Sequence, residues 1–281
     1  MKSNVGKFLG ILFLCSSVVV FLNFLFPELR SVLTTLYYFT PLIAVLFTEK
    51  GDISKVFNKY KVNFRDVKIK NSLFYILIIA FIFPVLNILC VVLFGNILHV
   101  EQFGRFSIPE GNFIMHGISI SDNILIRFLS VYFDSVLFSF IGGLTFNMIF
   151  SLGNEIGWRG FLNYNIKSGF IKKNIIIGVI WGTWFFYGPG KHPDYMEIVT
   201  TYAFFLVLSF LLDLVFKNTK SLFIPSAIGG IIISSSWIFF LGGESVKGFS
   251  GITEITGIVS LIILCVCFYW ISAIGISYKA Q

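Results

Sequence analysis

Apolar residues run through this chain in long unbroken blocks, without the period-two alternation of a half-buried strand. Eight blocks stand out, at 8–27, 31–48, 72–98, 123–153, 174–190, 196–216, 221–241 and 252–275. Roughly 20 residues carry a helix across the hydrocarbon core of a bilayer. The pattern therefore predicts an all-α, polytopic membrane helical bundle of about eight transmembrane helices, one integral membrane domain over 1–281. A barrel is disfavoured because the runs are continuous and show no ten-residue dyad repeat. The fourth block is too long for a plain crossing, so it is expected to tilt, to extend past the bilayer, or to kink near Gly142 and Gly143.

Composition agrees with the pattern. The chain is 56% hydrophobic and 12% charged, with 35 Phe and a mean hydropathy of +0.88, outside the range of soluble domains. Lys2 and Lys7 precede the first block as in a signal peptide, but the run continues to about Phe26 without a small-residue cleavage site and reads as the first span. Cys15, Cys90, Cys265 and Cys267 all fall in apolar runs, which makes them buried thiols and not a disulfide framework.

Charge then sets the orientation. Alternating spans put the N-terminus, 49–71, 154–173, 217–220 and the C-terminus on one side, which holds sixteen of the 21 Lys and Arg residues. Short cytoplasmic loops carry that excess, so both termini are placed in the cytoplasm. Segment 49–71 alternates Lys and Arg with Val56, Phe57, Tyr60, Val62 and Phe64, the pattern of an interfacial helix lying on anionic lipid. The net charge of +7 is accounted for in this way, without nucleic acid as a partner.

The candidate ionisable residues at membrane depth are Asp134, Glu155, Arg159 and Asp213. An ionisable group at membrane depth costs about 2.5–3.5 kcal/mol on insertion scales and so requires a partner or a role. Glu155 and Arg159 are four apart with the acid first, the order that best lets them pair on a helix. Asp134 and Asp213 are expected to face polar groups inside the bundle. His99, His116 and His192 fall in outer loops, away from Glu155, and their spacing matches no zinc pattern. No nucleotide-binding loop or HExxH helix is present.

The stretch SLGNEIGWRGFLN at 151–163 carries a resemblance. With GVIWGTWFFYGPG and SLFIPSAIGGIIIS further on, it resembles the CPBP family (Abi, or CAAX-protease-like), over a core of roughly 120–241. Members are bundles of about eight membrane helices that include CAAX prenyl endopeptidases and bacterial proteins linked to bacteriocin processing or self-immunity. The family's first motif, EExxxR, stands here as Asn154, Glu155 and Arg159. In the second motif, Phe185 occupies the His position, with Trp181, Gly182 and Trp184 in register. In the third, Gly230 replaces the His and Ser234 the Asn or Asp.

The resemblance implies that active members use the first Glu to activate water, with two His and an Asn or Asp stabilising the charge that develops. Asn154, Phe185 and Gly230 cannot do this work. The expectation is a catalytically degenerate member at a bacterial cell membrane, with no catalytic residues and no cofactor, retaining Glu155 and Arg159 as a pair. It would act by binding another membrane or cell-envelope protein within the lipid bilayer, as a scaffold, a regulator or a bacteriocin self-immunity protein. The alternative is an active intramembrane endopeptidase with Glu155 as base in a rearranged site, with zinc as its cofactor.

Overall fold

The computed structural model describes residues 2–62, 67–97, 124–190, 193–235 and 252–277. Among these, every regular element is helical. Each of the eight apolar blocks lies on helix: α1 (Lys2–Leu25), α2 (Arg30–Tyr38) with α3 (Thr40–Glu49), α5 (Ile69–Ile97), α6 (Ile124–Leu144) with α7 (Phe146–Glu155), α9 (Phe170–Phe186), α10 (Tyr195–Thr219), α11 (Phe223–Ser234) and α12 (Ile255–Ser277). Between them lie the short helices α4 (Ile53–Lys59) and α8 (Asn163–Asn165). The three histidines, the expected outer loop at 99–122 and the tail of the seventh block at 236–241 lie outside the described residues.

Four of these helices are long and apolar enough to cross a membrane, or six spans if each bent pair counts as one. α9, at 17 residues, and α11, at 12, fall short of that length. A twelve-residue helix is about 18 Å long, against roughly 30 Å of hydrocarbon. The outer faces carry unpartnered apolar side chains such as Phe24, Phe47, Phe146 and Trp270, the surface a bilayer solvates.

Both bends have local causes. The second block breaks by 49° between α2 and α3, where Pro41 enters at the first turn of α3. Proline lacks the N–H that would continue the ladder, and its ring fits only a helix start. The fourth block breaks by 57° at Thr145, two residues after Gly143.

α11 forms the centre of the bundle. Ten of its 12 residues are buried, packed between α6, α7, α5 and α10. Small residues allow this: a Cβ added to Gly143 would lie 2.6 Å from the Ile231 Cα, and one on Gly229 would lie 2.5 Å from the Ser151 hydroxyl. In membranes such backbone-to-backbone seams supply packing that the hydrophobic effect does not.

Segments assigned by alternation to one side of the membrane meet at one end of the bundle. Lys7 Nζ donates to the Thr48 carbonyl, the Leu222 N–H donates to the Lys61 carbonyl at 3.2 Å, and Asn71 Nδ2 donates to the Asn218 carbonyl. Within 49–62, the segment expected to lie on lipid turns part of its apolar face to the bundle. Val56, Tyr60 and Val62 are buried against the bundle. Tyr60 donates to Glu49 Oε1 at 2.9 Å, and burial together with that carboxylate raises the Tyr60 pKa. Docking wins because these apolar side chains find a packed protein surface within reach of a short turn.

Candidate functional site

Residues 154–173 do not form the loop that charge alternation predicts. α7 runs directly into a π-helical stretch, Ile156–Leu162, then α8, so the turn to α9 is confined to 166–169. Every residue of that π stretch is buried. The helix runs on through the charged residues because Glu155 and Arg159 pair with each other inside the bundle. Gly157 makes the burial possible: a Cβ there would lie 2.6 Å from Pro41 Cβ, so α3 can press directly on the helix. Single π turns inside α-helices recur at functional sites.

Glu155 and Arg159 are 0% and 2% exposed. Arg159 Nη1 donates to Glu155 Oε1 at 3.0 Å, and Nη2 donates to the Leu208 carbonyl of α10 at 3.2 Å. The guanidinium lies 4.5 Å from the centroid of the Trp181 ring on α9. One side chain thus joins three segments of the bundle by an ion pair, a backbone hydrogen bond and a cation–π contact. Glu155 Oε2, Arg159 Nε, Asn154 Oδ1 and Trp158 Nε1 are buried without a hydrogen-bond partner among the described residues.

Asp213, for which sequence suggested only polar company, is the centre of a second buried network. It accepts from Asn163 Nδ2 at 3.0 Å, from Asn174 Nδ2 at 2.9 Å and from Lys217 Nζ at 3.3 Å. Ser209 extends the network by donating to Asn174 Oδ1 at 3.2 Å. Asn163 and Asn174 had not been singled out. The Asp213–Lys217 spacing of four was the available signal. Asp134 lies on α6.

The motif positions are distributed as follows. Asn154 is buried one residue before the ion pair. Phe185 packs its ring on Phe205 of α10 at 5.1 Å and on Phe186 at 5.9 Å. Ser234 accepts from Asn147 Nδ2 at 2.8 Å. A Cβ on Gly230 would overlap the Gly143 carbonyl oxygen and come within 2.8 Å of Met148 N. Thus Phe185 faces α10, whereas Gly230 and Ser234 face the α6–α7 junction.

A zinc ion does not fit these positions. They offer one carboxylate, already tied to Arg159, beside an amide, a phenyl ring, a hydrogen and a hydroxyl. Among the described residues no group of three or more His, Cys, Asp or Glu could hold a metal. Zinc needs three or four N, S or O ligands at about 2.0–2.3 Å.

The described residues thus form a helical bundle with apolar outer faces, holding a buried acid–arginine pair at a π turn. Residues 133–234 match the family model described as "Type II CAAX prenyl endopeptidase Rce1-like", which is the family the three motifs resemble. A comparison with curated proteins gives no match.

Proposed function

We propose that the protein keeps this family's fold without its peptidase chemistry and works by binding, at a bacterial cell membrane, with both termini cytoplasmic. The ligand is another membrane or cell-envelope protein, engaged in a scaffolding, regulatory or bacteriocin self-immunity role. The observation that carries the reading is the packing at Gly230. The third motif's imidazole would have to project from a position whose Cβ meets the backbone of Gly143, Asn147 and Met148. Backbone cannot give way as a flexible side-chain end can. Two further features support it: Asn154 cannot take a proton as a carboxylate does, and Phe185 is part of an aromatic stack with Phe205.

One observation favours the enzyme reading. Glu155 Oε2 is unpartnered while Oε1 holds Arg159. A free carboxylate oxygen could orient water as a general base. The purified protein in lipid, offered a prenylated CAAX peptide and a transmembrane substrate with and without zinc, separates the two. No cleavage by the folded protein is the expected result. Cleavage that is lost in Glu155→Gln would overturn it.

A further inference from the structure

At the end of the bundle where α4, α8, α9 and α10 converge there is a pocket of about 360 Å³. Its walls include Lys59, Lys61, Arg159, Asn163, Tyr164 and Lys173, and among the described residues no carboxylate lines it. The volume lies in the range of small-molecule sites, about 300–1,000 Å³.

The four cations are not equally committed. Lys59 is paired with Glu49, and its ammonium lies 5.5 Å from the Tyr164 ring centroid. Arg159 spends Nη1 on Glu155 and Nη2 on the Leu208 carbonyl, but its buried Nε–H has no partner among the described residues. Lys61 and Lys173 have no carboxylate within 4.0 Å among the described residues. Lys173 is half-buried at the start of α9, and burial lowers its pKa despite Asp213 nearby, with Lys217 and Lys167 adding repulsion. Desolvating an ammonium that no carboxylate directly pairs is unfavourable, so the arrangement favours a bound anion.

The site is built in place. Lys61 adopts a left-handed backbone with φ of 60°, and its carbonyl receives the Leu222 N–H, which fixes the turn after α4 against the start of α11. The nature of the anion follows from the donors. The planar fork of Arg159 is already occupied, which removes the bidentate grip that favours a carboxylate. What remains are ammonium point charges, suited to a tetrahedral oxyanion, beside a tyrosine wall.

We infer that this pocket binds a phosphate-bearing group of headgroup size, held by Lys61 and Lys173. The source is either an anionic phospholipid or a soluble phosphoester. Basic pockets between membrane helices take lipid headgroups in this way. The inference is independent of whether the protein cleaves peptides.

The test is native mass spectrometry of the full-length protein in detergent. It is titrated with short-chain phosphatidylglycerol, short-chain phosphatidylcholine, glycerol phosphate or inorganic phosphate. Phosphatidylglycerol should bind saturably at one site and phosphatidylcholine should not. Binding should weaken on the order of tenfold or more in Lys61→Gln/Lys173→Gln. Lys61→Arg/Lys173→Arg, which keeps the charge, should retain it, and Lys70→Gln/Lys172→Gln, at exposed lysines that do not line the pocket, should leave it unchanged. Saturable binding of glycerol phosphate or inorganic phosphate, lost in the same variant, assigns a soluble source and supports the site equally. Equal binding of phosphatidylcholine, or undiminished binding by the folded Lys61→Gln/Lys173→Gln protein, overturns the inference.

Discussion

Gly143 on α6 and Ile231 on α11 meet backbone to backbone, so closely that a Cβ on Gly143 would lie 2.7 Å from the Ile231 amide nitrogen. Gly230 answers from the other side, against the Gly143 carbonyl. The two glycines let a twelve-residue helix seat itself in the middle of the bundle.

Alanine at either position should therefore destabilise the protein by overpacking, by about 1–3 kcal/mol or more because the obstacles are backbone. Thermal unfolding in detergent checks this. Gly10→Ala is the control, since nothing lies within 4 Å of its added Cβ. Gly230→His should fail to create peptidase activity and should unfold at a lower temperature than Gly230→Ala.

Asp213 and Lys217 offer a contrast. Asp213 is 1% exposed and accepts from the buried Asn174 amide and the half-buried Asn163 amide, whereas the Lys217 side chain is 44% exposed. Asp213→Ala removes an acceptor from the Asn163 and Asn174 amides, the latter keeping the Phe170 carbonyl, and should cost about 1–3 kcal/mol. Asp213→Asn, which retains one acceptor oxygen, should cost less. Lys217→Met should change stability by under about 1 kcal/mol, as solvent-facing ion pairs do. Unfolding midpoints of the three variants give the order.

Trp184 joins α9 to α1 and α3. Its indole N–H donates to Ser16 at 3.2 Å and Thr40 at 3.1 Å, and its ring stacks on Tyr37 at 4.7 Å. Trp184→Phe keeps much of the stacking and removes the donor, so it should destabilise by about 1–3 kcal/mol. Trp184→Ala removes the ring as well and should cost about 3–5 kcal/mol. A cost for Trp184→Phe as large as for Trp184→Ala would place the whole contribution in the N–H.

Sequence periodicity located the helices well, because continuous apolar blocks have no other stable form in a membrane. Of the three readings it left open for the fourth block, tilt, extension or a kink near Gly142 and Gly143, the bend at Thr145 matches the kink, and spacing alone paired Glu155 with Arg159. It misread 154–173 as a loop, because charge counting treats any Arg as solvent-seeking, whereas Arg159 is satisfied by Glu155, the Leu208 carbonyl and Trp181. The latter two partners are distant in sequence. The Asn163–Asp213–Asn174 network was hidden for the same reason: amides on two separate helices acquire meaning only when the fold brings them to one carboxylate on a third. Within 49–62, Val56, Tyr60 and Val62 turn to the bundle, a detail the sequence did not carry, since an amphipathic pattern describes an apolar face but not whether lipid or protein covers it.

The most direct measurement is thermal unfolding of Glu155→Gln beside the wild type, in the lipid preparation used for the cleavage assay. If Glu155 holds the bundle together, the variant strands the buried Arg159 charge. The loss should then be about 3–5 kcal/mol, a clearly lower midpoint, with no cleavage by either protein. A wild type that cleaves, with a Glu155→Gln variant that is inactive yet unfolds at the wild-type temperature, would contradict the account and make Glu155 a base.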